Sequence, residues 1–384
     1  MSKPNKHKQK TICLNLIVKN ERHVIQRCLD SVKHHIDYWV ISDTGSTDGT
    51  QDFIRDYFAQ HGIPGELVEH EWKNFGHNRT LALQAARGKA DYILFMDADD
   101  HLSWDGEAGF KDLQADAYYL LIRDNNVKYA NLKLVRGDLP WKWEGVLHEY
   151  VTIDDYRPQL ETYTATNCLI HSTREGARNN DPEKYKKDAA ILEQGLVDEP
   201  DNARYRFYLA RSYQDAGKFE QAIEHYEKRI AMGGWYEEVY YAMFSIGVCK
   251  ERLRHNGLSI VNAYVRSFDY RPERIEGLCA AMRCCREQGY NHLALQLAKR
   301  LKAIPQTQDI LFVHHLDYIW RYEDEYSIAL INCGYYQEGI AIIKHLLALE
   351  TTPAEQRSRM QYNMNYAYQQ LAPEERTLLN NVAA

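Results

Sequence analysis

From Thr11 the chain alternates short apolar runs with stretches in which apolar residues recur every three or four positions, the pattern of a parallel α/β sheet. Ile12 to Val18 reads as a first strand, and Val24, Ile25, Cys28, Leu29 and Val32 repeat behind it at helical spacing. Tyr38 to Ser42 is a second strand. The turn Thr44 to Gly49 leads into a helix with Phe53, Ile54, Tyr57 and Phe58 on one face, stopped by Gly62 and Pro64. Glu66 to His70 predicts a third strand, Asn78 to Arg87 a third helix, and Tyr92 to Met96 a fourth strand buried on both faces. Beyond residue 115 the pattern is mixed. Ala117 to Ile122, Leu132 to Val135, Leu147 to Ile153 and Tyr163 to Ile170 read as short antiparallel strands, while Trp141 to Glu149 reads as a loop entering one of them.

From about Asp181 strand signals vanish and helix pairs take over. Leu209, Ala210, Tyr213, Gly217, Ala222 and Tyr226 match in spacing the small and aromatic positions of a tetratricopeptide repeat of about 34 residues. Arg229 departs from that pattern, standing where alanine is usual. Breakers recur at Pro200, Gly233-Gly234, Pro272 and Pro305, one helix pair apart, so a helical-repeat array follows. The expected organisation is a flexible basic tail over 1–10, an α/β domain over 11–180 and a helical-repeat domain over 181–384.

Composition narrows the class. A chain of 384 residues with 45% hydrophobic and 26% charged positions can bury a sizeable core. No run approaches the about 18 apolar residues of a membrane span, and the lysine-rich start has no apolar segment for a signal peptide, which predicts a cytoplasmic protein. The net charge of −7 argues against a nucleic-acid partner. Eight cysteines without a CxxC read as free thiols of a reducing compartment. The 28 tyrosines, against 10 phenylalanines, fall mostly after residue 181, where aromatics with one wet end fill gaps between repeats.

Polar residues gather where the strands end. In an open parallel sheet ligands bind beyond the carboxyl ends of the strands. The first strand ends in Lys19-Asn20-Glu21, the second in Asp43-Thr44-Gly45-Ser46-Thr47-Asp48-Gly49-Thr50, the fourth in Asp97-Ala98-Asp99-Asp100. Three acids in four positions repel one another unless a cation is present, and Mg²⁺ or Mn²⁺ shared with a diphosphate suits carboxylate oxygens. The plainer reading is a solvated acidic turn; its place after a buried strand favours the metal. The Asp43 stretch reads equally as a turn or a ligand loop, and neither a GxGxxG nor a Walker loop is present.

Ile17-Val18-Lys19-Asn20-Glu21, Ile41 to Thr50, Asn78-Arg79 and Leu94 to Asp100 together resemble glycosyltransferase family 2, with the GT-A fold. The helical tail resembles a subgroup that includes bacterial peptide glycosyltransferases of the sublancin S-glycosyltransferase type. The resemblance implies a metal-dependent, inverting transfer of a hexose from a nucleotide sugar, UDP-linked by the positions of Asp43, Asn20 and Glu21. It places Asn20 and Glu21 along the uridine pocket, Asp43 on the base or ribose, and Arg79 near the nucleotide. Asp97 would also meet the donor, and Asp97 and Asp99 would form the Asp-x-Asp pair on Mn²⁺ or Mg²⁺. His171 resembles the late histidine that completes the metal shell, and Arg178 would meet the diphosphate; a structural histidine is the alternative. Within Trp141 to Glu149, tryptophan faces suit a sugar ring, with Glu149 as acceptor base and His148 beside it; the alternative has both tryptophans in the core and Glu149 on the surface of a strand.

The acceptor is then a protein, a peptide or a glycan, with the helical repeats offering a groove for it or a face for a homodimer; the alternative is that the repeats only buttress a short catalytic domain. A different class also fits: a repeat-based adaptor whose first domain binds nucleotide sugar without turnover. A sugar-1-phosphate nucleotidyltransferase would need glycines that Lys19 to Arg22 lacks.

Overall fold

A computed structural model describes residues 10–381, apart from 107, 108, 111, 125, 126, 154–159 and 302. The expected basic tail therefore falls outside the described residues as far as residue 9; Lys10 lies 3.3 Å from Asp91. The chain forms two compact units, one ending at Asp198 and one starting at Glu199.

The first unit opens with β1 (Ile12–Val18), α1 (Ile25–Val32), β2 (Tyr38–Asp43), α2 (Thr50–His61), β3 (Gly65–Glu69), α3 (Phe75–Ala86) and β4 (Tyr92–Phe95). There follow β5 (His101–Trp104), β6 (Ala117–Asp124), β7 (Val127–Arg136), β8 (Trp141–Glu144), β9 (Tyr150–Ile153), β10 (Thr162–Ser172), a 3₁₀ turn over Ala177–Asn180 and α4 (Lys184–Asp198). Eight strands make one sheet in the order β3-β2-β1-β4-β7-β6-β10-β5. β1 to β4 run parallel, as the alternation of apolar runs and helices predicts.

Period-two alternation decides what each face packs against. Leu14, Leu16, Ile41 and Leu94 share one core with Ile25, Cys28, Leu29 and Val32 of α1 and with Ile54 and Phe58 of α2. Cys13, Val40, Ile93 and Phe95 point the other way, onto Leu83 and Ala86 of α3. Each fully buried aliphatic side chain of this kind stabilises the fold by about 1.5–3 kcal/mol. Asn15 is the polar exception on the α3 face, and its amide donates to the Val40 and Ala82 carbonyls, tying β1 to β2 and α3.

The second half of the sheet differs from expectation in two ways. β6 pairs antiparallel with β7 but parallel with β10, because β10 enters beside β6 only after the chain has made a separate ribbon. That ribbon corrects the loop expected at Trp141: Trp141 to Glu144 is strand β8, antiparallel to β9. Its Trp143 N–H donates to Thr80 Oγ1 of α3, whose hydroxyl donates back to the Trp143 carbonyl.

The second unit is helical. Hairpins form from α5 (Ala203–Asp215) with α6 (Phe219–Met232), α7 (Tyr236–Arg252) with α8 (Gly257–Tyr270), and α9 (Glu276–Glu287) with α10 (Asn291–Ala298). Then α11 (Tyr322–Asn332) packs on α12 (Tyr336–Ala348), followed by α13 (Ala354–Gln370) and α14 (Pro373–Asn381). The breakers at Pro200, Gly233-Gly234, Pro272 and Pro305 fall between hairpins. Asn202 caps α5 by accepting the Tyr205 N–H at 3.0 Å. Leu209, Ala210, Tyr213, Ala222 and Tyr226 are all buried at the first hairpin, as the repeat pattern requires. Arg229 is 1% exposed, and Nε and one terminal nitrogen of its guanidinium donate to Glu238 Oε2 at 3.0 and 2.9 Å, which explains its departure from alanine.

Candidate active site

The carboxyl ends of β1, β2 and β4 meet along one edge, and the loops there are stapled by side chains. Asn20 adopts φ 59°, a left-handed conformation that asparagine tolerates, and this turns the chain out of β1. Its N–H donates to Ser46 Oγ and its Oδ1 accepts the Thr47 N–H, each at 2.8 Å, locking the first loop to the second. Asp43 Oδ1 accepts from the Gly45 and Ser46 N–H groups at 2.8 Å and from the Gln51 amide at 3.0 Å. Asp43 Oδ2, in a residue only 1% exposed, has no hydrogen-bond partner. A buried acceptor without a donor is costly, and in a native fold it calls for an explanation.

At the end of β4 the acids are divided among different partners. Arg79, on α3, donates through Nε to Glu149 Oε1 at 2.7 Å and through a terminal nitrogen to Asp97 Oδ1 at 2.5 Å. Its guanidinium also lies over the Trp143 ring, 5.1 Å from the centroid. Lys133 Nζ stands 3.6 Å from Asp97 Oδ2. Burial pushes the Asp97 carboxyl up, but Lys133 and Arg79 outweigh it and hold the group well below the usual carboxylate range. Asp100 goes the other way: burial first, then the Asp97 charge, lift it to about 7 against the pull of Lys133.

Asp99 and Glu21 meet a strap formed by the segment after β10. Asp99 Oδ2 accepts the Gly176 N–H at 2.9 Å, and the Glu21 carboxylate accepts the Ala177 N–H at 3.2 Å. Burial raises the Glu21 pKa; the Ala177 N–H opposes that and the Asp99 charge adds to it. The fit at Gly176 is close: a Cβ there would lie 3.2 Å from Asp99 Oδ2 and 3.3 Å from Glu21 Oε1. Arg27 of α1 anchors the strap, donating to the Asp99 carbonyl, Thr173 Oγ1 and Glu175 Oε2. Beside it a cavity of about 630 Å³ is lined by Asn20, Glu21, Thr44, Trp72, Phe75 and Arg178, among others.

The remaining candidates separate. Arg178 lies over the Phe75 ring at 4.5 Å and pairs with Asp188 of α4. His171 bonds Ser103 Oγ at 2.7 Å and stacks on His101 at 4.6 Å; burial, then Arg123, lowers its pKa. Among the described residues no three His, Cys, Asp or Glu side chains converge as a metal site. Of the three expected ligands, Asp97 is paired with Arg79 and Lys133, Asp99 with the Gly176 N–H, and His171 lies with Ser103 and His101 of the β5–β10 pair. His148 is exposed at φ 53°, on the turn that delivers Glu149 inward. Sequence reasoning passed over Lys133 and Gly176. A lysine inside the apolar run Leu132 to Val135 was the signal for the first; the second carries none without the fold.

Residues 14–105 match the family described as Glycosyl transferase family 2. That stretch is a family 2 glycosyltransferase domain. It contains most of β1, all of β2 to β4 and every acidic strand end described above. The chain is 26% identical over 232 residues to the SPbeta prophage-derived glycosyltransferase SunS of Bacillus subtilis, covering 57% of this chain and 53% of that protein. It thus spans about half the length of that relative. An uncharacterized glycosyltransferase of Rickettsia bellii is 29% identical over 120 residues, 31% of this chain and 36% of that one. Among solved structures, S. aureus TarS 1–349 in complex with UDP-GlcNAc is similar at a TM-score of 0.37 and 14% identity, over 73% of this chain and 92% of that one. Among the described residues, no helix beside this family 2 domain or after it is long and apolar enough to cross a membrane.

Proposed function

We propose that the protein is an inverting glycosyltransferase that moves a hexose from a nucleoside-diphosphate sugar, most simply UDP-linked, to a protein or peptide acceptor. The observation that carries the donor reading is Asp43: a buried carboxylate oxygen without a donor, at the carboxyl end of β2, where open parallel sheets take their ligands. A uracil ring offers an N–H to such an acceptor. Asn20, Glu21 and Arg178 line the adjoining cavity, which is large enough for a nucleotide.

The donor set at the end of β4 suits a hard cation only through Asp99, since Asp97 is occupied by Arg79 and Lys133. One carboxylate with diphosphate oxygens is a normal way to hold Mg²⁺ or Mn²⁺. Asp99 would hold the ion, which when bound supplies positive charge to the departing diphosphate. Arg79 keeps Asp97 ionised and orients Glu149. Glu149 Oε2 takes the proton of the acceptor hydroxyl or thiol as that atom attacks the anomeric carbon. The bond from that carbon to the diphosphate oxygen breaks, and the nucleoside diphosphate leaves with the electron pair. His148 adjoins this base.

The acceptor is assigned to the helical unit. There a cavity of about 830 Å³ is lined by helices α7, α9, α11 and α13, with Glu251, Arg283, Arg286, Glu325 and Arg359 on its walls. Paired charges of both signs suit a polar polypeptide. The same unit would carry any self-association, which sedimentation at tens of micromolar tests. All eight cysteines are unpaired, which fits a reducing, cytoplasmic setting. The test of function is turnover: incubation with nucleotide sugars and Mn²⁺ should release nucleoside diphosphate. Binding without release, with or without candidate peptides, would favour the adaptor instead.

A further inference from the structure

The acids at the end of β4 are held by a cation that the sheet goes out of its way to deliver. Between β6 and β7 the register runs Tyr118 to Leu134 and then Tyr119 to Leu132, so Lys133 has no partner across the ladder. It is the extra residue of a β-bulge, a device that re-aims a side chain by bending the strand locally. Leu134 and Val135 stay in the two apolar cores, while Lys133, 7% exposed, is turned toward Asp97. Burying an ammonium is expensive, and an apolar side chain of similar length would fill the same space at lower cost. Packing therefore does not account for the lysine.

Charge does. Asp97 stands within three positions of Asp99 and Asp100, and its other cation, Arg79, is shared with Glu149. One guanidinium serves two carboxylates on two different elements. Without a second cation Asp97 would be drawn wherever Arg79 and Glu149 move. We propose that Lys133 is a positioning residue: seated in the β7 bulge, it fixes Asp97 from the side opposite Arg79, so that this carboxylate meets the donor nucleotide in one orientation. The role rests on the glycosyltransferase reading above. It acts through Asp97 and requires no contact between Lys133 and the donor.

The test is a double-mutant cycle on nucleotide binding. Calorimetric titration with UDP and with GDP is run on the full-length protein, K133M, K133R, D97N and the double variant, with thermal unfolding recorded for each. K133M should weaken nucleoside diphosphate binding about 10- to 100-fold, the worth of a lost charge-assisted contact. It should raise donor KM more than it lowers kcat. In the D97N background the same substitution should cost less than about threefold, because its target is gone. K133R, which keeps the charge, should retain most of the affinity and gives a second variant should K133M not fold. Unchanged binding by K133M, or equal losses with and without Asp97, would overturn the role of Lys133 while leaving the enzyme reading intact. No nucleotide binding to the unmodified protein would overturn both.

Discussion

Two buried charge networks, one in each unit, are built in opposite ways. In the helical unit the network is closed: Arg274 and Glu276, each with a side chain 1% exposed, pair at 3.0 Å, and Arg274 also reaches Asp309 at 3.3 Å. Tyr240 and Tyr318 donate to the same Glu276, and Arg274 donates further to the Leu311 and Phe312 carbonyls. These charges fix the segment between α10 and α11. In the first unit the network is open. Asp43 keeps an unpartnered oxygen, Asp100 is lifted toward neutrality, and Glu21 and Asp99 accept from backbone N–H groups of a strap. A closed network specifies structure; an open one is arranged for a visitor.

Breaking the open network should cost activity before stability. Asp99→Ala should abolish nucleotide-sugar turnover while the unfolding temperature changes little; retained turnover with the same metal dependence would remove Asp99 from the site. Glu149→Gln should preserve donor binding while kcat falls by about 10²–10⁴, the usual worth of a general base. An unchanged kcat would pass the role to His148, Glu144 or Asp100.

Breaking the closed network should do the reverse. Arg274→Met leaves Glu276 and Asp309 buried without their shared cation and should destabilise the helical unit by about 3–5 kcal/mol in denaturant titrations. A loss below about 1 kcal/mol would show that the network is not closed in solution.

A further difference lies in pH dependence. Because the folded state raises Asp100 from 3.8 to about 7, it binds a proton that the unfolded chain has lost over that range. Its contribution to stability is full below about pH 4 and is lost as the pH rises to about 7. Asp100→Asn, measured in EDTA, should flatten the stability profile of the first unit across that window. Parallel profiles for the two proteins would contradict the buried, neutral acid.

Much of this contrast was legible before the fold. The strand ends Asn20-Glu21, Asp43 and Asp97 to Asp100 declare themselves because small polar residues follow buried apolar runs, and Tyr213, Gly217 and Tyr226 mark the first hairpin for the same local reason. What stayed hidden depends on pairing between distant segments. β8 looks like a loop until β9 and Thr80 are placed beside it. The neighbours of His171, Ser103 and His101, are set by β5, which lies nearly seventy residues away in the chain. Asp97 looks like a free ligand until a bulge in β7 delivers Lys133. The first compact unit ends at Asp198 and so takes in α4, whose Asp188 pairs with Arg178 and lines the cavity over β1.

The central claim is that the open edge takes a nucleoside-diphosphate sugar. Thermal unfolding across a panel of UDP-, GDP- and TDP-sugars, each with Mn²⁺ and with EDTA, tests it most directly. A ligand at 100 times its Kd stabilises by about 2.7 kcal/mol, an easily read shift. A UDP-hexose with Mn²⁺ should give the largest shift, and EDTA should reduce it. No shift with any nucleotide sugar would contradict the account, and a larger one for GDP or TDP would overturn the assignment of Asp43 to uracil.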